Sequence, residues 1–242
     1  MDLASGGFVR QIPPLPVTPA VGRHNNVEDM NKLTYETYLP GKASSTDKLP
    51  LIILLHFMGS SPDRFFELLL KDFDYPARVI APYGQYTYKE QYSWFPDSLY
   101  NENEADQSRF IDELTGVLLE NVECWVQEFS TQGKPIYLGV SQGGDVCFTL
   151  ASRYGDLFRL CLPIAGRLLV EGIVGKKNGG IVRIHHGIQD PIVPITRARE
   201  AAKQLLSAGI DAELREYDDT GHATPLKMRK AIFEDIQASI RE

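Results

Sequence analysis

Strand-like segments alternate along the chain with longer amphipathic segments, and this alternation limits the folds that the chain can adopt. The run LIILLH at 51–56 is apolar up to its last residue, which is typical of a strand covered on both faces. Similar segments occur at 33–40, 77–82, 134–141, 157–166, 181–187 and 212–217. The intervening segments predict helices at about 63–71, 106–129, 143–154, 195–208 and 223–240. Strands and helices in this order predict an α/β fold with a mainly parallel central sheet and helices on both faces.

The composition fits one globular domain of ordinary size. Hydrophobic residues make up 43% of the 242 residues and charged residues 24%, values that exclude a wholly disordered chain. Residues 1–20 hold four prolines and predict an extended Pro-rich N-terminal arm. We find no repeat and no second domain boundary, so 21–242 is predicted to be a single α/β domain.

The charge balance narrows the classes of partner. With 25 basic and 32 acidic residues the formal net charge is −7, which disfavours nucleic acids and anionic membrane surfaces. No window approaches the roughly 18 consecutive apolar residues of a membrane span, so stable membrane anchoring is not expected. The expected partner is a small-molecule substrate, and the composition leaves monomer and homodimer equally open.

Three cysteines, an odd number, bear on the compartment and on metal binding. Cys124, Cys147 and Cys161 are too far apart for a CxxC pair and are predicted to be buried thiols in a reducing compartment. The N-terminus lacks the apolar core of a signal peptide, so a cytoplasmic location is predicted. No P-loop or dinucleotide motif follows a strand, and we expect neither a metal nor an organic cofactor.

The motif GVSQGG at 139–144 is the strongest chemical signal. It lies between a predicted strand and a predicted helix, where a serine flanked by glycines is typical of a strained strand-to-helix elbow. Ser141 is therefore the candidate nucleophile. The alternative interpretation is a glycine-rich turn with a solvated serine.

A serine nucleophile needs a base and a group that orients the base. Asp190 follows a predicted strand in HHGIQDPIVP, and His222 follows the next strand in DTGHATP. The order Ser, acid, His is the one expected for a hydrolase sheet, so Asp190 and His222 are the candidate acid and base. His185 and His186 are rival bases, and the rival acids are Asp218 and Asp219.

The segment LLHFMGS at 54–60 follows the first buried strand and is the candidate for an oxyanion loop. A tetrahedral intermediate needs backbone N–H donors, one from such an early loop and one from the residue after the nucleophile, here Gln142. His56 is predicted to hold the loop from a buried position rather than to act in catalysis.

Taken together, LLHxMG, GVSQGG, HHGIQDPIVP and GH resemble the α/β-hydrolase superfamily, and within it the phospholipase/carboxylesterase group that includes acyl-protein thioesterases. The likeness covers about four-fifths of the chain. It implies an α/β-hydrolase fold, Ser141, Asp190 and His222 as the triad, and the N–H groups of Met58 and Gln142 as the oxyanion hole.

This chain also departs from the pattern of that group. Phe57 stands where the group usually has glycine, and the segment 167–180 is too short for a large cap domain. The group has a tryptophan-phenylalanine loop to which YSWFPD at 92–97 is similar. The predicted acyl-pocket residues are Phe57, Trp94, Phe95, Leu168 and Leu169.

The leading hypothesis is a serine hydrolase that cleaves carboxyl esters or thioesters of short to medium acyl chains through an acyl-enzyme. A serine peptidase of the same superfamily and a degenerate hydrolase fold that only binds a ligand remain the alternatives. Covalent labelling of Ser141 distinguishes a working nucleophile from a binder.

Overall fold

One seven-stranded sheet organises the molecule. The computed structural model describes residues 32–169, 172–174 and 179–241, and the predicted arm at 1–20 lies outside them. In chain order the strands are Tyr35–Tyr38 (β1), Leu51–Leu55 (β2), Arg78–Pro82 (β3), Tyr86–Tyr88 (β4), Gln91–Ser93 (β5), Ile136–Val140 (β6), Leu160–Ile164 (β7), Ile181–Gly187 (β8) and Ala212–Tyr217 (β9). The sheet order is β1-β3-β2-β6-β7-β8-β9, and every pairing is parallel except the antiparallel pair β1–β3.

The described residues form five α-helices, of which the first four connect strands and the last follows β9: Pro62–Leu69 (α1), Glu104–Glu128 (α2), Gln142–Arg153 (α3), Ile195–Ser207 (α4) and Leu226–Arg241 (α5). Local signals explain where they begin. The side chain of Asn103 accepts the N–H of Asp106 at 3.0 Å and caps α2, and α1 starts at a proline. None of the helices in the described ranges is both long enough and apolar enough to cross a membrane.

The alternation of side chains along each strand gives the sheet two apolar faces. In β2, Leu51, Ile53 and Leu55 join the core under α2, α3 and α4, whereas Ile52 and Leu54 join the core under α1 and α5. Both sets are fully buried, which is why this strand is apolar at every position. The parallel pairing also brings the carboxyl ends of β2, β6, β8 and β9 to one edge of the sheet.

The hairpin β4–β5 is an element that the sequence did not predict. Its turn residues are Lys89 and Glu90, and both have positive φ angles, 46° and 64°. Turns of this kind usually carry Asn-Gly or Asp-Gly, so a Lys-Glu turn gives no recognisable signal. Between β7 and β8, the described residues 165–169, 172–174 and 179–180 form no helix or strand, and no large cap domain is present among them.

Candidate active site

Ser141 lies in the sharp turn that joins β6 to α3. Its backbone has φ 54° and ψ −112°, a conformation that costs a non-glycine residue of order 1–3 kcal/mol. The N–H of Ser141 donates to the carbonyl of Ile164 on β7 at 2.9 Å, which holds the turn against the sheet. The flanking glycines permit a close approach, because a Cβ at Gly139 would overlap the carbonyl of Gly143.

His222 lies within hydrogen-bond distance of both other candidate catalytic side chains. His222 Nε2 is 3.0 Å from Ser141 Oγ, and His222 Nδ1 is 2.7 Å from Asp190 Oδ2. These residues are 81 and 32 positions apart in the sequence, so the parallel order of the strands brings them together. The structure thus assembles the serine, histidine and aspartate that the motif order singled out.

The environment of Asp190 determines which nitrogen of His222 carries the proton. Asp190 Oδ1 accepts the N–H groups of Ile192 and Val193 at 2.8 and 2.9 Å, and these bonds fix the orientation of the carboxylate. Asp190 Oδ2 then accepts the Nδ1–H of His222. The lone pair of Nε2 faces Ser141 and can take its hydroxyl proton.

Each rival histidine has hydrogen-bond partners of its own, although His186 Nε2 also lies 3.5 Å from Asp190 Oδ2. His185 is fully buried between the Tyr217 hydroxyl at 2.7 Å and the Asp235 carboxylate at 3.0 Å. His186 Nε2 donates to the carbonyl of Val193 at 2.8 Å. Burial lowers the pKa of both rings.

Of the rival acids, Asp219 lies 3.2 Å from the side-chain amide of Gln189, whereas the carboxylate bonded to His222 belongs to Asp190.

His56 holds the loop after β2 from a fully buried position. Its Nδ1–H donates to the carbonyl of Phe57 at 2.8 Å, and its Nε2 accepts the N–H of Gly84 at 3.0 Å. Because the backbone N–H of Gly84 can only donate, Nε2 must be unprotonated. Burial lowers the pKa of His56 to about 4, in agreement with a neutral ring.

The pKa of His56 predicts an acid-sensitive fold. The unfolded chain takes up this proton near pH 6.5 and the folded chain only near pH 4, so the free energy of unfolding falls as pH is lowered through this interval. His56 alone contributes up to about 3 kcal/mol to the loss. Urea denaturation at several pH values between 7.5 and 4.5 measures this loss of unfolding free energy. His56→Asn is expected to be less stable at pH 7 and to show a shallower pH dependence, and equal slopes in the two proteins would contradict the prediction.

A cavity of about 820 Å³ opens beside Ser141 and His222. Most of the residues that line it are apolar, and the polar ones include the two catalytic candidates. The lining residues are Phe57, Met58, Phe65, Leu68, Asp97, Tyr100, Val140, Ser141, Ile192, His222, Ala223, Thr224 and Pro225. This volume is within the roughly 300–1,000 Å³ of small-molecule sites.

Of the residues predicted to form the acyl pocket, only Phe57 lines this cavity. Trp94 and Phe95 are fully buried and do not line it, and Trp94 Nε1 donates to the carbonyl of His56 at 2.7 Å. Leu168 and Leu169 pack against the core under α2 and α3. The structure therefore corrects the assignment of these four residues, whose role here is packing.

The two candidate oxyanion donors belong to different segments, the loop after β2 and the start of α3. Met58 lines the cavity, and the N–H groups of its neighbours Gly59 and Ser60 donate to Tyr92 and Phe57 carbonyls at 2.9 and 3.2 Å. Gln142 directly follows Ser141 at the first position of α3, where helix geometry supplies no carbonyl for its N–H.

A buried ion pair behind the elbow was not predicted from the sequence. Arg167 donates to the carboxylate of Asp145 through its backbone N–H at 2.6 Å and its guanidinium at 2.7 and 3.2 Å. Arg167 also reaches the side chain of Gln107 at 3.0 Å and lies 5.4 Å from the ring centre of Tyr100. An aspartate one turn after the nucleophile, the one acidic residue of α3, is the signal that could have indicated it.

Metal ligands and cysteines add little to the site. Among the described residues, no group of histidine, cysteine, aspartate and glutamate side chains is arranged to hold a metal ion. Cys147 and Cys161 are buried as predicted, whereas Cys124 is exposed, which corrects the prediction for that thiol. Cys124 is on α2 beyond the apolar stripe of that helix.

Solved structures of other proteins share this fold. Esterase PE8 has a TM-score of 0.73 and 22% identity, covering 86% of this chain and 99% of PE8. The Bacillus cereus carboxylesterase has a TM-score of 0.65 and 16% identity, covering 86% and 94%. Zea mays acyl-protein thioesterase 2 has a TM-score of 0.60 and 15% identity, covering 86% and 99%. At these identities the likeness shows a common fold.

Sequence comparison identifies the family. No curated protein matches the chain. The family model described as Phospholipase/Carboxylesterase matches residues 42–240, which is most of the chain and includes all three catalytic candidates. The chain therefore belongs to the phospholipase/carboxylesterase family of α/β hydrolases and is a hydrolase of the esterase and thioesterase type.

Proposed function

We propose that the protein hydrolyses carboxyl esters or thioesters of short to medium acyl chains through an acyl-enzyme on Ser141. The observation that carries the proposal is the continuous hydrogen-bonded series Ser141–His222–Asp190, with distances of 3.0 and 2.7 Å, at the mouth of an apolar cavity. A module that only binds a ligand has no need of a strained serine aligned with an oriented base.

The geometry supports a two-step mechanism. His222 Nε2 takes the hydroxyl proton as Ser141 Oγ attacks the acyl carbonyl carbon, and the N–H groups of Met58 and Gln142 hold the resulting oxyanion. His222 then gives the proton to the departing alcohol or thiol, and the acyl group remains bonded to Ser141 as the acyl-enzyme. Water attacks the acyl-enzyme by the same route, releasing the acid and restoring Ser141.

The cavity supports the proposed substrate class. Its apolar lining suits an alkyl chain, and its volume of about 820 Å³ suits a small molecule rather than a folded partner. We also expect the protein to act without nucleic acid, cofactor or stable membrane anchoring, in the cytoplasm. The net charge of −7 supports the first of these expectations.

A fluorophosphonate probe tests the proposal directly. Such a probe phosphonylates only a serine that a neighbouring base activates. We expect stoichiometric labelling of the native protein on the peptide that contains Ser141, loss of the label in Ser141→Ala, and full labelling of Ser207→Ala, a matched change on an exposed serine at the end of α4. A folded native protein that takes no label would instead favour the ligand-binding alternative. Labelling together with efficient cleavage of peptide amides would favour the peptidase, whereas cleavage of 4-nitrophenyl esters is expected of both enzymes.

A further inference from the structure

The cavity beside Ser141 has two chemically different walls, which come from opposite faces of the sheet. Phe57, Phe65 and Leu68 form an apolar wall on the side of α1, where Phe65 belongs to the core under α1 and α5. Asp97 and Tyr100 form the other wall, in a 3-10 turn whose Leu99 belongs to the core under α2 and α3. Ser141 follows the central strand β6, and its side chain lines the same cavity.

The second wall carries a negative charge. Asp97 is exposed and is the one carboxylate among the residues that line the cavity, and no lysine or arginine is among them. Arg167 lies near Tyr100, but the Asp145 carboxylate binds its guanidinium and balances its charge. Among the residues that line the cavity, the negative charge on this side is therefore that of Asp97.

Tyr100 adds a neutral polar group and an aromatic ring. Partial burial raises the pKa of Tyr100, which keeps the phenol protonated at neutral pH. Its oxygen accepts the side-chain N–H of Gln142 at 3.3 Å, so its own hydrogen is left to donate. The Arg167 guanidinium already lies over the Tyr100 ring, 5.4 Å from its centre, so the group that would attract an organic cation here is the Asp97 carboxylate.

The two parts of an ester extend in opposite directions from its carbonyl carbon. With the carbonyl at Ser141, an acyl chain on the apolar wall places the leaving group at the other wall. We propose that Asp97 and Tyr100 form a leaving-group subsite that selects cationic or neutral polar alcohols and thiols over anionic ones. The inference rests on the proposed function and adds the class of leaving group to it.

Three butyryl thioesters with leaving groups of different charge test this subsite. Butyrylthiocholine has a cationic leaving group, S-butyryl-2-mercaptoethanol a neutral one and S-butyryl-3-mercaptopropionate an anionic one, and release of the free thiol is followed in each case. At low ionic strength we expect kcat/KM for the cationic thioester to exceed that for the anionic one about tenfold. Added salt at about 0.5 M should reduce the ratio, because Asp97 is exposed.

Asp97→Asn is expected to lower the cationic-to-anionic ratio about fivefold or more. The matched control is Glu113→Gln on α2, which removes an equal charge from an exposed position that does not line the cavity and should keep the native ratio. An unchanged ratio in Asp97→Asn, or a native preference for the anionic thioester, would overturn the subsite. Both results leave fluorophosphonate labelling of Ser141, and with it the proposed function, intact. Absence of labelling and of all thiol release would overturn the function together with the subsite.

Discussion

Ser141→Ala is expected to lower kcat for ester hydrolysis by about five to six orders of magnitude. The alanine removes the oxygen that forms the acyl-enzyme, and His222 then has no nucleophile to activate. The cavity and the candidate oxyanion donors stay in place, so KM should change little. Initial rates with 4-nitrophenyl butyrate, on protein free of native enzyme, measure the effect.

Asp190→Asn provides the comparison for the serine variant. The amide keeps the shape of the side chain, but it favours the wrong tautomer of His222, and a loss of about 10⁴ in kcat is expected. The two losses should not add in the double variant, because the residues act as one unit. A Ser141→Ala protein that keeps more than about one-hundredth of native activity would remove Ser141 from the mechanism.

Gly143→Ala is expected to destabilise the protein by about 3 kcal/mol or more. A Cβ at this position would overlap the carbonyl oxygen of Leu55 on β2, which is backbone and cannot turn aside. The clash pushes α3 away from the sheet and takes Ser141 with it, so activity should fall even in the folded fraction. Urea denaturation followed by far-UV circular dichroism measures the change in stability.

Gly116→Ala is the matched control for this variant. Gly116 lies inside α2, and a Cβ there meets no atom within 4 Å. Alanine is a better helix former than glycine, so this protein should gain about 0.5–1 kcal/mol. Equal stabilities for the two variants would show that the close approach at Gly143 is not what the glycine provides.

Much of the fold follows from local pattern. The helix predicted at 195–208 is observed at Ile195–Ser207, and the strand predicted at 181–187 has the observed bounds. These elements have regular spacing and clear ends, so neighbouring residues contain enough information to place them. The candidate site followed from a second regularity, because the ends of parallel strands lie on one edge of the sheet.

Two features that were not predicted from the sequence depend on contacts between residues far apart in the chain. Trp94 was predicted to line the pocket because it is aromatic and belongs to YSWFPD, but the structure buries it, with a hydrogen bond to His56, 38 positions away. The Asp145–Arg167 pair joins residues 22 positions apart, from the first turn of α3 to the irregular segment after β7. The hairpin turn at Lys89–Glu90 was not predicted because lysine and glutamate seldom occupy turn positions with positive φ angles.

The buried bonds around Trp94 connect the elbow to the loop after β2. The side-chain oxygen of Gln142 accepts the N–H of Trp94 at 3.0 Å, Trp94 Nε1 donates to the carbonyl of His56 at 2.7 Å, and His56 donates to the carbonyl of Phe57. The segments that carry the two proposed oxyanion donors are thus ends of one rigid unit. The distance between the two proposed donors is therefore fixed in the folded protein. Their N–H groups would not have to reorient when negative charge develops on the substrate oxygen.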